Sequence, residues 1–528
     1  MKQLFIILLF IVFNHSILFS QNQIWVNRIN GTANLNDASF NVAVDNAGNI
    51  ISGGYETLNS PEGYFLNGKL VKYSPSGNLI WSINLEGGKI FDLKVDQADN
   101  IYTVMSGIQL NAELNNSSEA YIITSKISSA GTILWSSYYS ASAPSSVAID
   151  KSGNIITFGL KNYVFTVIKY TSSGSLLWSS DLGIGSSSNY TSEVVTDDSN
   201  NVYICGENPG FSTMKLDSNG ILKWAKNYAF GPYLNAAFSM KADKGGNVYV
   251  TGGSNQHITT IKYNRNGDQV WLRSLAGPGD DSDYGFKLKL DDSANVYIAG
   301  SVWINLTNRQ DIVAIKYDST GQLRWSKTYN GPSSKDDYGF DLAIDSLYNV
   351  YVTGITTNSS TTTDIATIKY SASGNQLWSS IYNGTGNNTD IPHSIAIDRS
   401  NGVYIAGESK GMTNNLDFVT IKYSSVTGIN DLWLSIPDKF VLLQNYPNPF
   451  NPTTNIKYSI PFGTAHDLFV QLKVYDVNGK EIETLVNENQ IAGSYSVSFN
   501  AANYPSGVYF YKLDAGNFSE TRKMLLVK

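Results

Sequence analysis

Cysteine is nearly missing: the 528-residue chain holds one, Cys205, in the apolar stretch NVYICG. An exported chain with a single thiol has no internal disulfide, so its stability has to come from packing. Cys205 alternates with strand residues and reads as a small buried hydrophobe. Histidine is almost as scarce, and only His257, His393 and His466 follow the N-terminal segment. That supply is too small for a zinc centre, which takes three or four nitrogen or sulfur ligands. A Ser-His-Asp triad would have to use His257 or His393, and no G-x-S-x-G segment frames a nucleophile. Charged residues make up only 15%, the net charge is −7, and Lys and Arg form no cluster. Binding to a nucleic-acid backbone needs a basic footprint, so no nucleic-acid partner is expected. The apolar run LFIILLFIVF (Leu4 to Phe13) is well short of the roughly 20 residues that span a bilayer. With Lys2 before it and the small Ser20 after it, it reads as a secretory signal over residues 1–20, cleaved near Ser20–Gln21. No Cys stands at that point to carry a lipid anchor, and no membrane span is expected in the mature chain.

What is abundant is Gly (45), Tyr (33) and Trp (10). Aromatic residues with frequent glycine favour turn-rich β structure over helix. A chain of 528 residues also exceeds one ordinary core, so several domains or a repeat are expected. The repeat is visible directly. IKYDSTGQLRW (Ile315 to Trp325) recurs as KYSPSGNLIW to Trp81, IKYTSSGSLLW to Trp178, IKYNRNGDQVW to Trp271 and IKYSASGNQLW to Trp378. Upstream of each lies a second hairpin with Asp four residues before Asn, as in Asp45/Asn49, Asp197/Asn201 and Asp345/Asn349. An eighth copy has Asp398 with Gly402 at the Asn position. The strand Lys recurs eight times, from Lys72 to Lys422. Trp spacings of 43 to 56 residues suit propeller blades and not helical repeats.

Each unit therefore reads as four short strands, and such units bury both faces only by stacking around an axis. The expected fold is all-β: an eight-bladed β-propeller over residues 21–424, with seven blades as the alternative. A ring must close, because a free edge invites aggregation. The segment IWVNRING (Ile24 to Gly31) matches RWSKTYNG, which begins at Arg324, and is placed to complete the last blade. Gly gives the tight hairpin its positive φ, and Trp inserts between neighbouring blades. The Asp and Asn side chains satisfy local backbone groups; calcium at those turns is the weaker reading, because the dense oxygen spacing of a calcium loop is missing. The turn DSTGQLRW (Asp318 to Trp325) resembles the tryptophan-docking motif of quinoprotein-type propellers. The whole unit, including IAIDRSNGVYIAG, resembles the bacterial SBBP β-propeller repeat, and that likeness spans about residues 24–424. It implies a fold and no activity.

After Trp433 the pattern stops. A linker over 425–439 leads to Pro447, Pro449 and Pro452 and to about seven strand-like runs over 440–528, which suggests a small immunoglobulin-like sandwich. YPNPFNP (Tyr446 to Pro452), VYDVNGKEI, SGVYFYKL and TRKMLLVK closely resemble the type A sorting domain of the type IX secretion system. That resemblance implies export through the periplasm to the outer-membrane surface or the medium, with the secretion machinery as partner.

No cofactor or metal is expected. The short turns share one face of the ring, and the variable connections 107–119, 301–310 and 355–363 open on the other. On that face, eight residues before the turn Asp, polar side chains recur as Asp37, Asn189, Asn235, Asp283, Asp337 and Asp390. Around the channel mouth they are candidate ligand contacts; the plainer alternative is that they cap turns where strands begin. The functional expectation is a surface binding or adhesion module for a glycan or protein. The alternative is a glycosidase or lyase using carboxylates on the loop face, which needs no sequence motif.

Overall fold

The computed structural model describes residues 19–20, 23–60, 63–110, 118–185, 191–207, 210–231, 235–279, 281–305, 309–358, 362–411, 415–424, 440–445, 447–461, 468–490 and 493–528. The strands among them form no helix-containing layer, and the chain divides into two compact units, Met1–Ser425 and Val426–Lys528. Most of the segment expected to be a secretory signal, and all of the expected linker over 425–439, lie outside the described residues.

In the first unit the strands meander through eight sheets: seven are antiparallel and four-stranded, and the sheet of Asp337–Ile344, Val350–Thr357, Thr363–Tyr370 and Gln376–Tyr382 takes Phe19–Ser20 as a parallel fifth strand. The first sheet runs Ala38–Val44, Ile50–Ser60, Gly63–Tyr73 and Leu79–Leu85. The last combines Asp390–Ile397, Val403–Lys410 and Leu416–Tyr423 with Gln23–Ile29 from the other end of the unit. Innermost strands of successive sheets pack together, and the first packs on the eighth, so the sheets close a β-propeller. The connection expected at 107–119 is narrower than the sequence suggests, because its hairpin continues in strands Ile101–Leu110 and Ser118–Ile127.

One contact joins sheet to sheet. In all eight sheets the third-strand Lys stands opposite a Trp on the outer strand, from Lys72/Trp81 to Lys422/Trp25. Trp271 Nε1 donates to the Ser319 carbonyl of the next sheet's turn at 3.3 Å, and Lys262 Nζ donates to the same oxygen at 3.2 Å. Trp25 and Lys422 do the same to Pro75, at 3.3 and 2.7 Å, where the chain's start meets the first sheet. The turn glycine lies flat on the indole. Gly321 has φ of 81°, and a Cβ there would stand 2.8 Å from the Trp271 ring.

The Asp turns are secured from the same side. Asp45 accepts the Asn49 backbone N–H at 2.7 Å and its side-chain amide at 2.9 Å. In the first and third sheets the strand Lys pairs directly with this Asp, at 2.8 Å for both Lys72–Asp45 and Lys169–Asp150. Burial opposes ionisation of Asp45 and Asp150, but the Lys and Asn donors outweigh it and hold both carboxyls below their usual range. In other sheets a Tyr hydroxyl takes that place, as Tyr203 on Asp197 at 2.8 Å and Tyr297 on Asp291 at 2.9 Å. The Lys then rests over the Tyr ring, 5.2 Å away for Lys215 and 4.8 Å for Lys316.

The second unit packs a three-stranded sheet (Val441–Leu442, Thr453–Ile460, Gly493–Asn500) with a four-stranded one (Leu468–Tyr475, Glu481–Gln490, Gly507–Ala515, Phe518–Leu526). Ile456, Tyr458, Leu472, Tyr511, Met524 and Leu526 fill the core. The tail TRKMLLVK is thus partly a core strand.

Trp271→Ala should cost about 3–5 kcal/mol in chemical denaturation, as a large-to-small change at a buried dock. Gly321→Ala, which leaves the Trp in place, should still cost about 1–3 kcal/mol through strain and overpacking. Losses below about 1 kcal/mol for Trp271→Ala would contradict this role of the dock.

Candidate functional site

The carboxylates expected around the channel mouth are buried. Asp37 takes the Gly31 N–H at 2.5 Å and the Thr57 N–H at 2.7 Å. Asp283 takes those of Gly277 (2.6 Å) and Trp303 (2.7 Å), and Asp337 those of Gly331 (2.5 Å) and Thr357 (3.1 Å). Asp390 takes the Gly384 N–H at 2.7 Å and the Ser409 hydroxyl. Each ties the connection entering its inner strand to the neighbouring hairpin, and all four are at most 1% exposed. Burial raises all four carboxyls above their usual range. Asn235 is engaged likewise, by the Phe230 N–H at 3.2 Å and the Ser254 hydroxyl. Asn189 lies outside the described residues. A short side chain at the start of an inner strand reaches backbone and not the lumen, so Asp37, Asn235, Asp283, Asp337 and Asp390 clamp loops.

The channel is lined by other positions. Every inner strand shifts register near its middle, as between Ser39 and Asn41 or between Gly339 and Asp341. Such a bulge leaves one residue unpaired and re-aims its side chain. In six of the eight strands the residue so placed is a ring: Phe40, Phe91, Phe238, Phe286, Phe340 and His393. Phe286 contacts Phe238 at 5.5 Å and Phe340 at 6.0 Å, and Phe40 contacts His393 at 4.6 Å between centroids. Five of them, Phe40, Phe91, Phe286, Phe340 and His393, form an aromatic collar around a cavity of about 530 Å³. Lys89 Nζ stands 5.5 Å from the centre of the Phe40 ring, and His393 Nε2 lies 3.7 Å from Glu408. A separate hollow of about 710 Å³ on the turn face is lined by the turns themselves, with exposed Lys244 and Asp292.

Four residues before the turn Asp, every repeat is polar: Asn41, Asp92, Ser146, Glu193, Ser239, Lys287, Asp341 and Ser394. Several of these stitch sheet to sheet. Asp92 accepts the Val147 N–H at 3.0 Å, Glu193 that of Met240 at 2.9 Å, Ser239 that of Leu288 at 3.1 Å and Asp341 that of Ile395 at 3.0 Å. Glu193 also holds Lys241 at 2.5 Å and Lys287 at 3.4 Å. Burial pushes the Glu193 carboxyl up, but the two ammonium groups outweigh it and keep it well below its usual range. Burial lowers the Lys289 ammonium. This eightfold polar position was available in the sequence and is the signal that composition-based reading passes over.

Two comparisons bear on identity. Residues 377–416 match the β-propeller repeat family SBBP, and residues 444–528 match the family described as secretion system C-terminal sorting domain. The C-terminal segment is a sorting domain. It marks proteins that type IX secretion exports to the cell surface or extracellular space, so this chain engages that machinery. Within the domain, Asn445 bridges Pro447 O (3.1 Å) and Thr454 (3.0 Å), and the Tyr511 hydroxyl donates to Leu443 O at 2.7 Å, anchoring the proline segment. A search of curated proteins gave no match. Among solved structures, the Dos1 propeller aligns at 9% identity over 77% of this chain and 95% of its own, with a TM-score of 0.48. A Lactobacillus plantarum protein aligns at 11% over 76% and 99% with a TM-score of 0.37, and the polysaccharide lyase Uly1 at 11% over 67% and 92% with 0.38.

Two further carboxyls stand out beside the clamps. Burial, and then the nearby Asp337 and Asp390, raises Asp311 and Asp364 to about 6. The Oδ1 atom of each is buried with no hydrogen-bond partner. Asp417, at the matching place in the last sheet, instead pairs with Arg28 at 2.8 Å. A folded-state pKa above the unfolded value contributes stability below about pH 4 that is lost as pH rises through about 6. Asp311→Asn and Asp364→Asn should therefore raise stability by about 1–2 kcal/mol at pH 8 and change it little at pH 4. Equal effects at both pH values in melting curves would contradict this assignment.

Proposed function

We propose that the mature chain is a surface-displayed binding module that meets a glycan or protein through the collared mouth of its channel. The aromatic collar carries this reading. Bulges on five inner strands turn rings toward one cavity, and aromatic faces supply contact area at low entropic cost. The eight sheets act as eight rigid blades behind it, and residues at the loop ends of such a scaffold are where recognition normally resides. A glycosidase or lyase needs two free carboxyl groups near its substrate. Asp92, Glu193 and Asp341 in the channel are each held by backbone or lysine donors, and Asp311 and Asp364 are buried. That favours binding over turnover.

The test pairs a glycan and surface-protein screen with a polysaccharide-cleavage assay on the purified mature chain. Binding without cleavage, weakened at least tenfold by Phe286→Ala with Phe340→Ala, is the expected result. Cleavage products, or binding untouched by the double variant, would overturn the reading. For the address, a periplasmic reporter fused to residues 440–528 should reach the surface or medium only in cells with type IX secretion. Retention of the reporter in those cells would show that the address lies elsewhere.

A further inference from the structure

The channel below the collar has an unequal stock of hydrogen-bonding groups. Its carboxylates are saturated. Asp92 holds Lys94 at 2.7 Å, the Ser146 hydroxyl at 3.0 Å and two backbone N–H groups. Glu193 holds two lysines, the Ser239 hydroxyl at 2.7 Å and the Met240 N–H. Asp341 holds the N–H groups of Leu342 (2.8 Å) and Ile395 (3.0 Å). Its ammonium groups are not saturated. Among the described residues Lys289 makes no hydrogen bond or ion pair and feels only the through-space attraction of Asp341 and Glu193, and the contact of Lys287 to Glu193 is stretched to 3.4 Å. Lys94, Lys241, Lys287 and Lys289 face three carboxylates, so the lumen carries a positive excess in a chain whose net charge is −7.

From this we infer that the channel binds the carboxylate of a uronate-bearing saccharide. The inference rests on the binding-module reading above and names its ligand class. A hexuronate ring has an apolar C–H face that lies against an aromatic ring, and a carboxylate projecting from its rim. With the sugar ring among Phe286, Phe340 and Phe40, the carboxylate points down the lumen toward Lys289, which supplies the acceptor-seeking charge. A cavity of about 530 Å³ lies within the usual range for small-ligand sites. The surrounding negative charge of the chain is screened beyond about 8 Å at physiological salt, so the local lysines decide.

Calorimetric titration of the mature chain with trigalacturonate and with its methyl ester tests this, because the two differ in charge and share their rings. The acid should bind at least tenfold more tightly than the ester. Raising salt from 0.05 to 0.5 M should weaken the acid and leave the ester nearly unchanged. Lys289→Gln should abolish the preference for the acid at unaltered melting temperature, and Lys289→Arg should retain it. Equal binding of acid and ester, both lost in Phe340→Ala, would overturn the anion site while leaving the binding module standing. Inorganic phosphate that binds in a Lys289-dependent way, without uronate binding, would overturn the saccharide class. Absence of any binding would also overturn the inference, and the surface screen decides the module separately.

Discussion

An indole resting on a glycine turn, its N–H on the turn's carbonyl and a lysine on the same oxygen, joins one propeller sheet to the next at the seven junctions whose turns are described. Repeated from Trp25 and Lys422 at Pro75 through Trp325 and Lys316 at Ala372, it satisfies a backbone acceptor twice and buries apolar area at once. It also explains why the turn must be glycine: the backbone conformation and the flat approach of the ring both exclude a Cβ. Without a disulfide, the ring relies on this contact and on the strand that closes it.

Closure has a consequence on the inside. In four of the sheets an inner-strand N–H close after the bulge, of Val147, Met240, Leu288 or Ile395, is taken by a polar side chain of a neighbouring sheet. Structural demand therefore explains why the lumen is polar midway along. It does not demand the aromatic collar or the spare ammonium of Lys289, and those are the features on which the proposed recognition rests.

Much of the ring was legible because rotation repeats it: Trp, Gly, Asp, Asn and Lys recur at fixed offsets, and IWVNRING shows the outer-strand pattern out of place at the chain's start. The sorting domain was legible through YPNPFNP and its terminal strands, which the family match at 444–528 covers. The site was less so. Asp37, Asp283, Asp337 and Asp390 look like lumen carboxylates on spacing alone, and only the hydrogen bonds of Gly31, Gly277, Gly331 and Gly384 show them turned into the loops. The collar was hidden for a related reason. A bulge shifts alternation by one residue, so Phe40 or Phe286 cannot be assigned to a face by counting along the strand. The exchange of Tyr for direct Lys–Asp pairing was likewise invisible, because Ile51 and Ile156 replace the Tyr without disturbing the strand pattern.

The most direct measurement of the account is amide hydrogen exchange on the mature chain, comparing Val26–Ile29 with the outer strands of the other seven sheets. If the first strand closes the ring through the same dock, its amides paired to Phe418–Ile421 should exchange as slowly as those of Trp325–Tyr329. Exchange of Val26–Ile29 orders of magnitude faster than the other outer strands would mean that the ring is open, and the rigid channel built on it would fall.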